Sequence, residues 1–174
     1  MTLAVRTFPD PVLTAPSRSV ERITPAVTRL IEQMTATMRR HPRCVGLAAP
    51  QVGVGLQVAI IDVAGHPKAA ASHGLLVLVN PMITVREGEV MQREGCLSVP
   101  DLTGNVRRAL RVHVEALDGA GRPWAEWIEG FEAIAVQHEV DHLAGKLFLD
   151  RVTNPRTDIF RRKQYWFPEE KGRS

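Results

Sequence analysis

The run His138-Glu139-Val140-Asp141-His142 places two imidazoles four positions apart. It sits in a segment, Gly130 to Ala144, that reads as a helix closed by Gly145. Residues i and i+4 of an α-helix share one face, one turn apart. The two rings therefore point to one spot. Glu139 stands about 100° further round the helix. Ile134 and Leu147 flank the run, which fits a helix with one face buried. Two readings follow. Either both imidazoles hold one metal ion, with Glu139 placed to take a proton from a bound water, or the segment is an ordinary helix with a surface glutamate. A third ligand separates them, because three protein ligands leave a position for water and a fourth closes it.

Downstream, Asp150, Asp158 and Glu169–Glu170 are the carboxylates a zinc endopeptidase would draw on, but none stands in a recognisable helical motif. Upstream, Glu94-Gly95-Cys96-Leu97-Ser98-Val99-Pro100 carries Cys96 in a short glycine-flanked turn between strand-like segments. A thiolate there is able to meet a helix edge; the alternative is a core cysteine. Cys44 is the only other cysteine, so no disulfide framework is available. A single Cys44–Cys96 bridge remains an option that would abolish metal binding.

The rest of the chain reads as α+β. Thr24-Pro25 caps a helix over 25–40, in which Leu30, Ile31, Met34 and Met38 recur at helical spacing before Pro42. Strands are expected over 57–63, 75–79, 83–90, 112–117 and 123–129, with Asp118-Gly119-Ala120-Gly121 as a hairpin turn. Short turns favour antiparallel pairing, so antiparallel or mixed sheets should pack around the central His-Glu-x-x-His helix, with the first helix near the N-terminus. At 174 residues, with 44% apolar and 24% charged, one globular domain is expected. The formal charge of +3 is uneven. Residues 1–150 hold 15 basic and 16 acidic side chains, whereas residues 151–174 hold 7 and 3. A catalytic domain over 1–150 and a basic tail over 151–174 follow. Apolar runs fall far short of the roughly 20 residues of a membrane helix, and Pro9, Asp10, Pro11 and Pro16 break any targeting helix at the start.

Three separated segments resemble the signatures of the peptide deformylases: Gly46-Leu47-Ala48-Ala49-Pro50-Gln51, Glu94-Gly95-Cys96-Leu97-Ser98 and Gln137-His138-Glu139-Val140-Asp141-His142-Leu143. Phe8-Pro9-Asp10-Pro11-Val12-Leu13 resembles the start of that family, and the likeness runs over about residues 5–152. The resemblance implies a metal hydrolase that removes the formyl group from the N-formylmethionine of nascent chains. It makes Cys96, His138 and His142 the metal ligands and Glu139 the general base and acid. It gives the Gln51 amide and the Leu97 N–H the task of stabilising the formyl oxygen. It assigns Gly46 and Gly95 to backbone contact with the peptide, and Val45, Phe131, Ile134 and Ala135 to the methionine pocket. The apolar stripe of that helix reads equally well as plain core.

Departures from the pattern are informative. Cys44 stands where the family usually has glycine, and is expected to be a buried bystander thiol. Thr103 replaces an arginine thought to hold the substrate's main chain, so either Arg107 or Arg108 substitutes or peptide binding is weaker. Asp141 is expected to be a solvated or structural carboxylate rather than a partner of the ligands. The resemblance implies ferrous iron, with zinc, nickel or cobalt as other occupants, although the stability order favours zinc over ferrous iron. The tail, with Ile159, Phe160, Tyr165, Trp166 and Phe167 among its arginines, is expected to be a helix packed on the body. Docking of the tail to the ribosome near the exit tunnel is the second reading. No membrane or DNA partner is expected. The expected location is the bacterial cytoplasm, a mature organellar form being the alternative. The rival functions are a zincin-like peptidase using the same helix and an RNA-binding domain with a structural metal.

Overall fold

The computed structural model describes residues 1–163. Helix α1 spans Pro25–Arg40. Thr24 Oγ1 accepts from the Val27 N–H, and Leu30, Ile31, Met34 and Met38 face inward. The helix stops at His41, whose extended backbone suits the residue before Pro42. Eight strands follow: β1 (Gly46–Ala48), β2 (Val58–Ile61), β3 (Leu76–Glu87), β4 (Val90–Cys96), β5 (Val99–Arg108), β6 (Arg111–Leu117), β7 (Pro123–Glu129) and β8 (Ile159–Arg161). Helix α2 spans Gly130–Leu143, and a single turn α3, Pro155–Asp158, precedes β8.

The strands form two antiparallel sheets, one ordered β1-β2-β3-β6-β7 and the other β4-β5-β8. The first is covered on both faces. Leu47, Val58, Ile60 and Val79 meet α1, while Ala48, Ala59, Ile61 and Val114 meet α2. Alternate residues of a strand point to opposite faces, so a sheet buried on both sides needs an unbroken apolar run, and Val58–Ile61 is buried throughout. A third cluster, with Leu13, Cys96, Val106 and Phe148, lies over the β4–β5 hairpin. The α+β class with a central α2 is therefore as expected, and no helix among the described residues is long and apolar enough to cross a membrane.

Three details differ from the sequence reading. The strands expected over 75–79 and 83–90 are one strand, β3, whose pairing with β6 shifts register between Val79 and Met82. Asn80 absorbs the shift at φ 51°, and Pro81 sits in the irregularity where no ladder donor is needed. The β4 and β5 strands had too weak an alternation to be read in full. In the tail, residues 159–161 are not helical: they pair with Leu102, Thr103 and Gly104 of β5. Tyr165, Trp166 and Phe167, the rest of that reading, lie outside the described residues.

The Asn80 side chain holds the shift together. Its Oδ1 accepts from the Val20 N–H at 2.8 Å, and its Nδ2 donates to the Val20 carbonyl at 2.8 Å. Asn80→Ala would leave both Val20 groups unpaired and put a Cβ without local bonding in the left-handed region. A loss of about 2–4 kcal/mol in urea denaturation is expected; a loss below about 1 kcal/mol would mean that water replaces both bonds.

Candidate metal centre

Helix α2 presents His138 and His142 toward the end of β4, where Cys96 begins the tight turn to Val99. The Cys96 sulfur, and one ring nitrogen of each histidine, lie within 4.8 Å of one another. Cys96 Sγ stands 3.3 Å from His142 Nε2. Tetrahedral coordination with ordinary bond lengths sets sulfur and nitrogen roughly 3.5 Å apart, close to the Cys96–His142 distance, so the donor set suits a divalent cation. Although burial disfavours a thiolate, the His142 and His138 imidazoles hold the Cys96 thiol well below its ordinary value. That shift favours the thiolate, the form in which sulfur ligates a metal.

Glu94 orients the pair. Its Oε1 accepts from His138 Nδ1 at 2.7 Å, which leaves His138 Nε2 for a cation. Glu94 in turn accepts two bonds from Arg108, at 2.6 and 2.9 Å. Arg108 Nη1 reaches Asp141 Oδ2 at 2.7 Å, and Asp141 also takes two bonds from Arg151. Burial alone would raise the Glu94 carboxyl, but Arg108 and His138 bring it down to about 2. Asp141 is therefore not solvated: at 7% exposure it anchors Arg108 from behind the ligand helix. Nor does either expected arginine substitute for the missing one at Thr103. Arg108 is committed to this network, and Arg107 pairs with Glu89 at the surface. Both line a separate cavity of about 360 Å³ against the other face of α2. Arg162, just after β8, instead lines the site beside Thr103. Its backbone N–H is held by Asp101 O.

The site opens into a cavity of about 450 Å³. Glu139 lies on its wall, 5% exposed, with Oε2 lacking a hydrogen-bond partner among the described residues. Burial pushes this carboxyl up to about 7, against the pull of His138 and His142. Gly46 makes its position possible: a Cβ at residue 46 would come within 2.5 Å of Glu139 Oε1. Gly95 has a parallel role, since a Cβ there would run into the Arg162 guanidinium. Gln51 is buried and pinned, its Oε1 accepting from the Ala48 N–H and its Nε2 facing Cys96 Sγ and Ser98 Oγ. Leu97 lines the cavity from the Cys96–Val99 turn.

Val45, Phe131, Ile134 and Ala135 all line the same cavity; Val45, Phe131 and Ala135 also belong to or pack on the core beneath it, and Ile134 is buried. Pocket and core are one surface here. The cysteines are free; the Cys44 thiol donates to the Gly46 carbonyl at 3.1 Å and is pushed up to about 12, chiefly by burial. Among the carboxylates downstream, Asp150 caps Leu147 and Asp158 accepts from Asn105, so neither is directed at the histidines. Glu169 and Glu170 lie outside the described residues. His66 and Lys68, which also line the cavity, come from the β2–β3 loop and carried no sequence signal.

Glu94→Gln should weaken divalent-metal affinity about 10–100-fold, as loss of an orienting carboxylate commonly does; unchanged affinity by competitive chelation would count against the role given to Glu94. The acid dependence has a definite sign. A depressed carboxyl adds stability that is complete above its ordinary value, near 4.5, and is lost as pH falls toward about 2. Between pH 5 and 3 the urea midpoint should fall less steeply for Glu94→Gln than for the wild type, and equal slopes would contradict the assignment.

Residues 2–158 match the family model for polypeptide deformylase. A peptide deformylase of Syntrophobacter fumaroxidans is 42% identical over 161 residues, which is 92% of each chain. The chain also resembles the crystal structure of a peptide deformylase from Legionella pneumophila, with a TM-score of 0.79 and 40% identity over 88% of this chain and 87% of that one. That of Thermus thermophilus gives 0.80 and 39% over 90% and 89%. Together with a Cys-His-His donor set beside a buried glutamate, these likenesses establish that the chain belongs to the polypeptide deformylase family.

Proposed function

We propose that the chain hydrolyses the formyl amide of N-formylmethionine at the start of nascent polypeptides, with Cys96, His138 and His142 holding a divalent cation and Glu139 moving the proton. The observation that carries the reading is a buried glutamate with an unpartnered oxygen on the cavity wall, next to the three convergent donors. The family membership supplies the substrate class. A zincin-like peptidase is not favoured, since the third donor is Cys96 rather than a downstream carboxylate.

When bound, a divalent cation supplies Lewis acidity that brings the ionisation of water near neutral pH. The chain's own groups do the rest. Glu139 accepts the proton of the attacking water and returns it to the departing amine nitrogen, a task suited to a carboxyl whose affinity for protons has been raised toward neutrality. The Gln51 Nε2–H and the Leu97 N–H donate to the formyl oxygen as it gains charge. Ala48 fixes the Gln51 amide, and the formyl oxygen takes over one of the two Nε2–H bonds that now face Cys96 Sγ and Ser98 Oγ. β1 is the edge strand of its sheet, so an extended peptide is able to add alongside Gly46. Arg162 is the cation placed to hold the peptide main chain in the role left open at Thr103. Val45, Phe131, Ile134 and Ala135 receive the methionine side chain.

Ferrous iron is the native ion in this reading, and one thiolate with two imidazoles accommodates zinc, nickel and cobalt as well. The site of action is the bacterial cytoplasm. Docking to the ribosome through the basic residues after Arg151 is a further part of the proposal, supported by their charge alone.

The test is anaerobic hydrolysis of formyl-Met-Ala-Ser with metal analysis. Glu139→Gln should lower kcat by about 100-fold or more with metal content unchanged, whereas Cys96→Ser should lose the metal. A wild type loaded with iron that leaves the formyl group in place would refute the proposal.

A further inference from the structure

The β2–β3 loop, residues 62–75, forms part of the cavity wall and is held in a defined shape. The His66 N–H donates to the Val63 carbonyl, and the Ala69 N–H donates to the His66 carbonyl at 2.9 Å. The Lys68 N–H donates to His66 Nδ1 at 3.1 Å, which fixes the tautomer and the plane of the ring. Ala69 packs on the core beneath. Further along, the loop is clasped to the first turn of α2. The buried Glu132 accepts from the His73 N–H at 2.9 Å and from His73 Nδ1 at 2.7 Å.

Between these anchors the His66 imidazole lies flat on Phe131, with ring centroids 4.4 Å apart and planes 19° apart. Both residues line the cavity. Lys68 Nζ lies 6.0 Å from the Phe131 centroid. Burial, and then the Lys68 charge, lower the His66 pKa, so the ring meets Phe131 neutral at pH 7. A neutral imidazole stacked on an aromatic ring behaves as an apolar plate. It extends the wall that Phe131 begins and prevents that ring from turning out to solvent.

We propose that His66 is a specificity-determining residue: the clasped loop uses its imidazole as the outer wall of the side-chain pocket, which admits a slender, unbranched thioether chain and resists bulkier aromatic ones. This rests on the formyl-methionine reading of the site. His73 is a positioning residue in the same device, because it ties the loop to Glu132 without lining the cavity itself.

The experiment compares kcat/KM for formyl-Met-Ala-Ser and formyl-Phe-Ala-Ser. In the wild type the methionine peptide should be preferred. His66→Ala should reduce that preference about tenfold, the scale on which pocket shape discriminates apolar side chains. The change should fall mainly on KM, with the thermal midpoint little altered. His66→Phe, which keeps a flat ring, should restore the preference, and His73→Ala should shift it in the direction of His66→Ala. Equal losses on both peptides, or an unchanged ratio, would overturn the proposal while leaving deformylation intact. A wild type inactive on both peptides would instead overturn the functional reading, and the inference with it.

Discussion

A carboxylate with almost no access to water, Glu94, holds the molecule's two halves in register. A buried charge is costly unless opposite charge and hydrogen bonds surround it. Glu94 is met by Arg108 on one side and His138 on the other, and Arg108 is steadied by Asp141, itself tied to Arg151. The chain of contacts runs from β4 and β5 through α2 to residue 151. Each member depends on the next, so the second sheet is locked to the ligand helix. Strand periodicity makes the same device serve the chemistry: Glu94 and Cys96 are two apart on β4 and face the same way. One therefore orients His138, while the other faces His142 as a third donor.

Space is controlled as tightly as charge. Gly46 leaves room for the Glu139 carboxylate and Gly95 for the Arg162 guanidinium. Gly46 is expected to be bare so that a peptide is able to approach, and Gly95 to take part in substrate binding. The structure adds that the space each leaves is filled from inside by a charged side chain. The pocket follows the same economy. Phe131 and Ala135 pack on the core of the first sheet, and with Ile134 they form the cavity wall. Close packing beneath keeps that wall rigid.

What was legible came from local rules. Thr24-Pro25 and the apolar spacing after it define α1, and the Gly130–Gly145 segment defines α2, because caps and a 3.6-residue period act within a few residues. The unbroken apolar run in β2 announces a doubly covered sheet. The expected strands leave a break over 80–82, the place of the register shift in β3. Its survival as one strand depends on Val20, sixty residues away, which satisfies the Asn80 amide. The strand in the tail was hidden for the same reason: residues 159–161 become β8 only because β5 offers an edge.

By itself the sequence pointed to the three convergent donors, the glutamate beside them and the family, because those residues sit in three short motifs. Only the tertiary structure decided how they are held. Asp141 anchors Arg108 and Arg108 clamps Glu94, while Arg162 lines the cavity beside Thr103 and His66 lies flat on Phe131 at its wall. None of these four roles follows from a residue's neighbours in the chain. Each arises from partners outside the residue's own element, brought together by the burial of apolar surface, which carries no record of which polar groups will meet.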